Sequence, residues 1–103
     1  MAIEKKYSSD KKICRVTFSL PKEVNVNFNE ISVVGDFNNW DPHKNKMTHT
    51  EADGSTSLEL NLESGKEYHF KYLCDNEVWL IEPDADKQVQ THYGDSQNSV
   101  LVL

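Results

Sequence analysis

Glycine, proline and cysteine are scarce in this 103-residue sequence: four, three and two residues. Four isolated glycines build neither the glycine-rich loop that cradles a phosphate nor a GxSxG nucleophile elbow. Two cysteines, Cys14 and Cys74, are too few for a disulfide framework and lack the paired spacing of a zinc site, so both read as core thiols. The four histidines, His43, His49, His69 and His92, are scattered, with no HExxH and no closely spaced pair. No metal, cofactor or catalytic group is therefore expected. Positive charge is also short. Seventeen acids against eleven bases leave a net charge of −6, which repels phosphate backbones and anionic lipid, so neither nucleic acid nor membrane is an expected partner. No window approaches the ~20 apolar residues of a membrane span. The opening MAIEKKYSSDKK lacks the apolar stretch of a signal peptide, and the chain reads as cytoplasmic.

Period-two alternation fills most of the rest. Cys14, Val16, Phe18 and Leu20 alternate with Arg15, Thr17 and Ser19, a half-buried strand ended by Pro21. A polar loop over 22–30 leads into a second strand at 31–35, and a long loop over 36–53 follows with Met47 as its large apolar anchor. Beyond the Asp53-Gly54 turn, Leu58, Leu60 and Leu62 mark one strand, and Tyr68, Phe70, Tyr72 and Cys74 the next. Asp75-Asn76 turns the chain into a strand at 77–81. Residues 82–98 read as polar and irregular, and 99–103 close the domain. Six or seven short strands with turns about every ten residues argue for one all-β domain over 1–103, an antiparallel β-sandwich with residues 1–12 as a loosely ordered arm.

The densest signal is VVGDFNNWDP at 33–42, a strand running into a turn that carries Asp36, two asparagines and Trp40. An indole there either fills the core with its N–H bonded to a carbonyl or offers its face to a ligand that is apolar on one side and rich in hydroxyls on its edge, as a sugar is. Neighbouring amides that donate and accept suit the second reading. Trp79 also follows a turn, so the two indoles are candidates for one platform. Lys71 lies out of phase with Tyr68, Phe70 and Tyr72 and points away from their side, free to donate to hydroxyls or simply solvated. Tyr93 and Asn98 flank Gly94-Asp95 in the last loop, either gripping a ligand or forming a plain turn. Seventeen acids leave room for a converging carboxylate pair of glycosidase type. A sandwich of about 100 residues, however, spends its strands on its own core and leaves function to loops, which favours binding over catalysis.

GDFNNWDP, then EYHFKYLCDNEVW, then a closing YG and NSVLVL together resemble the family 48 carbohydrate-binding modules. That family includes the glycogen-binding domain of AMP-activated protein kinase β subunits and the early-set domain of isoamylases and branching enzymes. The similarity covers about residues 13–103. It implies an immunoglobulin-like (early-set) sandwich that binds α-1,4-glucan without catalysis: glycogen, starch or maltooligosaccharides. By position, the resemblance implies that Trp40 and Trp79 stack on glucose rings, that Lys71 and Asn98 bond hydroxyls, and that Tyr93 inserts against the glucan. The segment through Asn98 is a residue longer than usual, which makes Gln97 a rival for the asparagine's role. The alternative reading is a protein-interaction or regulatory module tied to a glycan-metabolising enzyme or kinase, with little glycan affinity.

Overall fold

The alternation around Cys14 becomes a strand in which Cys14, Val16, Phe18 and Leu20 are fully buried. The computed structural model describes residues 1–91 and 96–103. Among these, nine strands form two antiparallel sheets. The first has the order β1 (Ala2–Tyr7), β2 (Ile13–Leu20), β5 (Thr56–Glu63), β4 (His49–Thr50). The second has β3 (Ile31–Gly35), β6 (Glu67–Cys74), β9 (Gln97–Val102) and β8 (Lys87–Gln90), with β7 (Val78–Leu80) paired to the far end of β6. The architecture is the all-β sandwich expected from the strand spacing.

The inner faces meet on aromatic rings. Phe18 of the first sheet lies 5.3 Å from Phe70 and 6.5 Å from Tyr72 of the second, both edge-on, an arrangement that favours the ring quadrupoles. The β6–β7 hairpin turns at Asp75 (φ 51°) and Asn76 (φ 59°), residue types that tolerate the left-handed region such a tight turn requires. Burial, then the neighbouring Asp75 carboxylate, pushes the Cys74 thiol up to about 11; Cys14 and Cys74 are both free and buried.

Two expectations need correction. Residues 1–12 are not a loose arm, because β1 pairs with β2 from Ala2↔Ser19 to Tyr7↔Cys14. Its side chains are polar because long-range partners hold it: the Ile3 N–H donates to Asp84 Oδ2 (2.9 Å), and Lys5 Nζ meets Asp86 at 2.6 Å. Nor is 82–98 irregular throughout, since it contains β8 and the start of β9. Glu82 is fully buried there and organises the segment. Its carboxylate accepts from the Tyr72 hydroxyl (2.6 Å), its N–H donates to Ser99 Oγ (2.7 Å), and its carbonyl accepts from Gln88 Nε2 (2.7 Å). Burial, then the Glu82 charge, drives the Tyr72 hydroxyl far above the ordinary tyrosine range, so it stays a donor. Residues 22–30 also contain one helical turn, α1 (Lys22–Asn25).

Candidate functional site

The turn after β3 distributes its side chains to both sides of the second sheet. Phe37 joins the core, 6.0 Å from Phe18 and 6.5 Å from Phe70. Asn38 is buried and its amide is fully used. Oδ1 accepts the Gly35 N–H (3.0 Å), while Nδ2 donates to the Val33 carbonyl (2.9 Å) and to Asn45 Oδ1 (2.7 Å). This corrects the reading that the amides beside Trp40 serve a ligand: Asn38 serves the turn. Asn39 (φ 57°) and Trp40 (φ 58°) are both left-handed, uncommon outside glycine, and the Trp40 N–H closes the turn on the Gly35 carbonyl at 2.9 Å. The chain then runs back along β3, with the Val33 N–H donating to the Asn45 carbonyl (2.8 Å) and the Met47 N–H to the Ile31 carbonyl (2.7 Å).

Strand register sets the other side chains. Alternation on β6 sends Tyr68, Phe70, Tyr72 and Cys74 inward, leaving His69, Lys71 and Leu73 on the outer face. Leu73 pairs with Trp79 and Val89 with Asn98, which place Trp79, Asn98 and Val89 on that same face. Between them lies a groove of about 690 Å³ lined by Asp36, Trp40, His69, Lys71, Trp79 and Asn98, together with Val89, Gln90, Thr91 and Ser96. This volume lies within the range of small-ligand sites. Trp79 is 50% exposed, so it fills no core. Trp40 is partly exposed, and its Nε1–H donates to Asp36 Oδ1 (2.9 Å) rather than to a core carbonyl. Lys71 has no ion pair among the described residues. The Asn98 amide approaches His69 Nδ1 at 3.4 Å, a long hydrogen bond with the ring nitrogen accepting when it carries no proton.

The groove therefore brings together Trp40, Lys71, Trp79 and Asn98. Gln97 does not line it; one position before Asn98 on a strand, it points to the opposite face. Tyr93 lies outside the described residues. The family described as the glycogen recognition site of AMP-activated protein kinase matches residues 23–103. The chain belongs to that family. No curated protein matches it at a significant level. Membership in the glycogen-recognition family supports carbohydrate binding as the class of function, and the matched span carries every groove residue while leaving β1 and β2 outside it.

Several residues that line the groove escaped the sequence reading. His69 had a usable signal, because it stands two positions before Lys71 on a period-two strand and so shares its face. Asp36 lay inside the most informative motif, but nothing in the sequence says that its carboxylate turns back toward the indole. Val89, Gln90 and Thr91 sit on and just after β8, whose KQVQ offers no apolar alternation.

Proposed function

We propose that the chain is a non-catalytic module that binds α-1,4-linked glucan through a platform made by Trp40 and Trp79, with Lys71 and Asn98 donating to hydroxyls at its edges. The observation that carries this reading is one groove holding both indoles, one of them half exposed, beside an ammonium without an ion-pair partner among the described residues. Sugar rings have an apolar face that stacks on indole and an equatorial rim of hydroxyls that takes up donors and acceptors. If each indole loses about half of its ~200 Å² to a ring, two contribute ~5 kcal/mol at ~25 cal/mol/Å². Each hydrogen bond exchanged with water adds about 1 kcal/mol, against at least ~4 kcal/mol of lost ligand freedom. With roughly three to five such bonds the net is about 4–6 kcal/mol, a dissociation constant in the millimolar to sub-millimolar range. Such a module would hold a glycan-metabolising enzyme on its polymer. The two free buried thiols accord with a cytoplasmic setting.

The test is tryptophan fluorescence during titration with β-cyclodextrin or maltoheptaose, comparing the wild type with folded Trp40→Ala and Trp79→Ala variants. The expected result is a saturable shift that both substitutions abolish. No response of the wild type up to about ten millimolar, beyond the weak limit above, would overturn the reading in favour of a protein-interaction module.

A further inference from the structure

Trp40 has an unusual environment for a binding indole. Its backbone is left-handed (φ 58°), it follows a second left-handed residue, and its Nε1–H is already engaged by a charged acceptor. That acceptor, Asp36, is exposed and uses both carboxylate oxygens: Oδ1 takes the Trp40 Nε1–H at 2.9 Å and Oδ2 takes the His69 backbone N–H at 2.8 Å. The second bond fastens the carboxylate to β6, the strand that carries Lys71. The first fastens the indole to the carboxylate. The structure assigns Asp36 as a positioning residue that locks the Trp40 ring against β6, so that the ring presents its face and not its N–H to the ligand.

Three properties make this more than a surface hydrogen bond. Bonds to a carboxylate are shorter and stronger than neutral ones, and here both oxygens are aimed by separate donors, which fixes the plane of the group. The strand beneath is pinned on both edges, to β3 by Gly35↔Phe70 and to β9 by Phe70↔Ser99, so the anchor does not drift with the loop. The described acceptor of the indole N–H is the Asp36 carboxylate and not a backbone carbonyl of the turn. Freed from Asp36, the ring can rotate about its side-chain bonds, and that freedom must then be lost when a sugar binds. An aligned ring removes this loss beforehand. Because its N–H is occupied, Trp40 contributes stacking alone, and hydroxyl recognition falls to Lys71 and Asn98.

The inference rests on the glucan reading for its binding consequence, but its structural half can be tested without ligand. In ¹H–¹⁵N spectra of the free protein, the Trp40 indole resonance of the wild type should be shifted and slow to exchange with solvent. In Asp36→Ala it should move toward the position of an exposed indole and exchange faster, while Trp79 stays unchanged as an internal reference. Asp36→Asn, which keeps one acceptor oxygen, should fall between the two and guards against a variant that misfolds. An unmoved Trp40 indole signal in both variants would overturn the assignment whether or not glucan binds. With maltoheptaose, Asp36→Ala should weaken binding about tenfold in the wild-type background and have little further effect in Trp40→Phe, whose ring still stacks but has no N–H for the carboxylate. An equal loss in both backgrounds would show that Asp36 acts on the sugar or on the fold as a whole, and would overturn positioning through Trp40. If the wild type binds no glucan yet the indole signal responds to Asp36→Ala, the positioning role stands and the glucan reading falls.

Discussion

Gly35 decides whether the groove can form, for a steric reason rather than a conformational one. It ends β3 in register with Phe70, and a Cβ built on it would sit 2.5 Å from the His69 carbonyl oxygen and 2.7 Å from the Phe70 Cβ. Both neighbours are held in the sheet, so β3 would have to lift from β6. Gly35→Ala is therefore expected to destabilise the fold by about 1–3 kcal/mol, as overpacking of a close contact does. It should also weaken glucan binding beyond that, because the same displacement separates Asp36 from the His69 N–H. Thermal unfolding and the fluorescence titration of the folded fraction check the two parts; unchanged melting would refute the close-approach argument. Much of the candidate site could be read in the sequence at this scale. Trp40 and Trp79 stand out as indoles beside turn residues, and the period of β6 separates Lys71 from the core ring set. Asn38 could not be assigned correctly, because an asparagine in a turn looks the same whether its amide meets a ligand or three groups of its own chain. Gln97 and Asn98 could be told apart only once β9 fixed which of them faces outward.

At the scale of elements, the strands with an apolar run or apolar alternation were legible, whereas β1, β4 and β8, which have neither, were not. β2, β3, β5 and β6 bury apolar residues that hydrophobic burial selects, and their limits follow the pattern closely. β1 and β8 lie at sheet edges, where one side of the strand meets solvent or charge, and their sequences AIEKKY and KQVQ record partners far along the chain instead of a local period. For β1 that partner is Asp86. Its carboxylate takes Lys5 Nζ at 2.6 Å and the Val102 N–H at 2.7 Å, so one group ties β1 to β9 across the two sheets. Burial alone would raise its pKa, but the Lys5 and Val102 hydrogen bonds outweigh it and hold the carboxyl below its ordinary 3.8. A carboxyl with a depressed native pKa stabilises the fold above its unfolded value, and that contribution is lost as pH falls through the native one. Wild-type melting should thus drop on acidification below about pH 4 more steeply than that of Asp86→Asn. At neutral pH the variant should be less stable by about 1 kcal/mol or less, the pair being partly open to solvent. Parallel acid profiles for the two proteins would show that the Asp86 carboxylate does not help to hold β1.

At the scale of the whole molecule, the two-layer sandwich measures 39 × 38 × 22 Å, and the groove occupies the outer face of one layer. On the glucan reading a single such face meets its polymer once, so the proposed site is expected to bind each contact weakly. Two indoles and a few exchanged hydrogen bonds do not overcome the cost of association by much. Strong attachment to a branched glucan must then come from repetition, either of the polymer's chain ends or of the module. Two copies joined by about 50 flexible glycine- and serine-rich residues have a root-mean-square reach of roughly 40 Å, comparable to the width of one module, so both grooves can meet neighbouring chains. The second contact becomes intramolecular at an effective concentration of ~1 mM, and for a site of about 0.1 mM the tandem should bind glycogen about tenfold tighter than the single module. β-Cyclodextrin offers one site per molecule and should show the same dissociation constant for each groove in both proteins. Co-sedimentation with glycogen and titration with β-cyclodextrin measure the two quantities. Equal gains for both ligands would mean that tethering had altered the groove itself, and no gain on glycogen would mean that its chains do not present two contacts within reach. Either result would remove the argument that a weak, single-faced site serves a multivalent polymer.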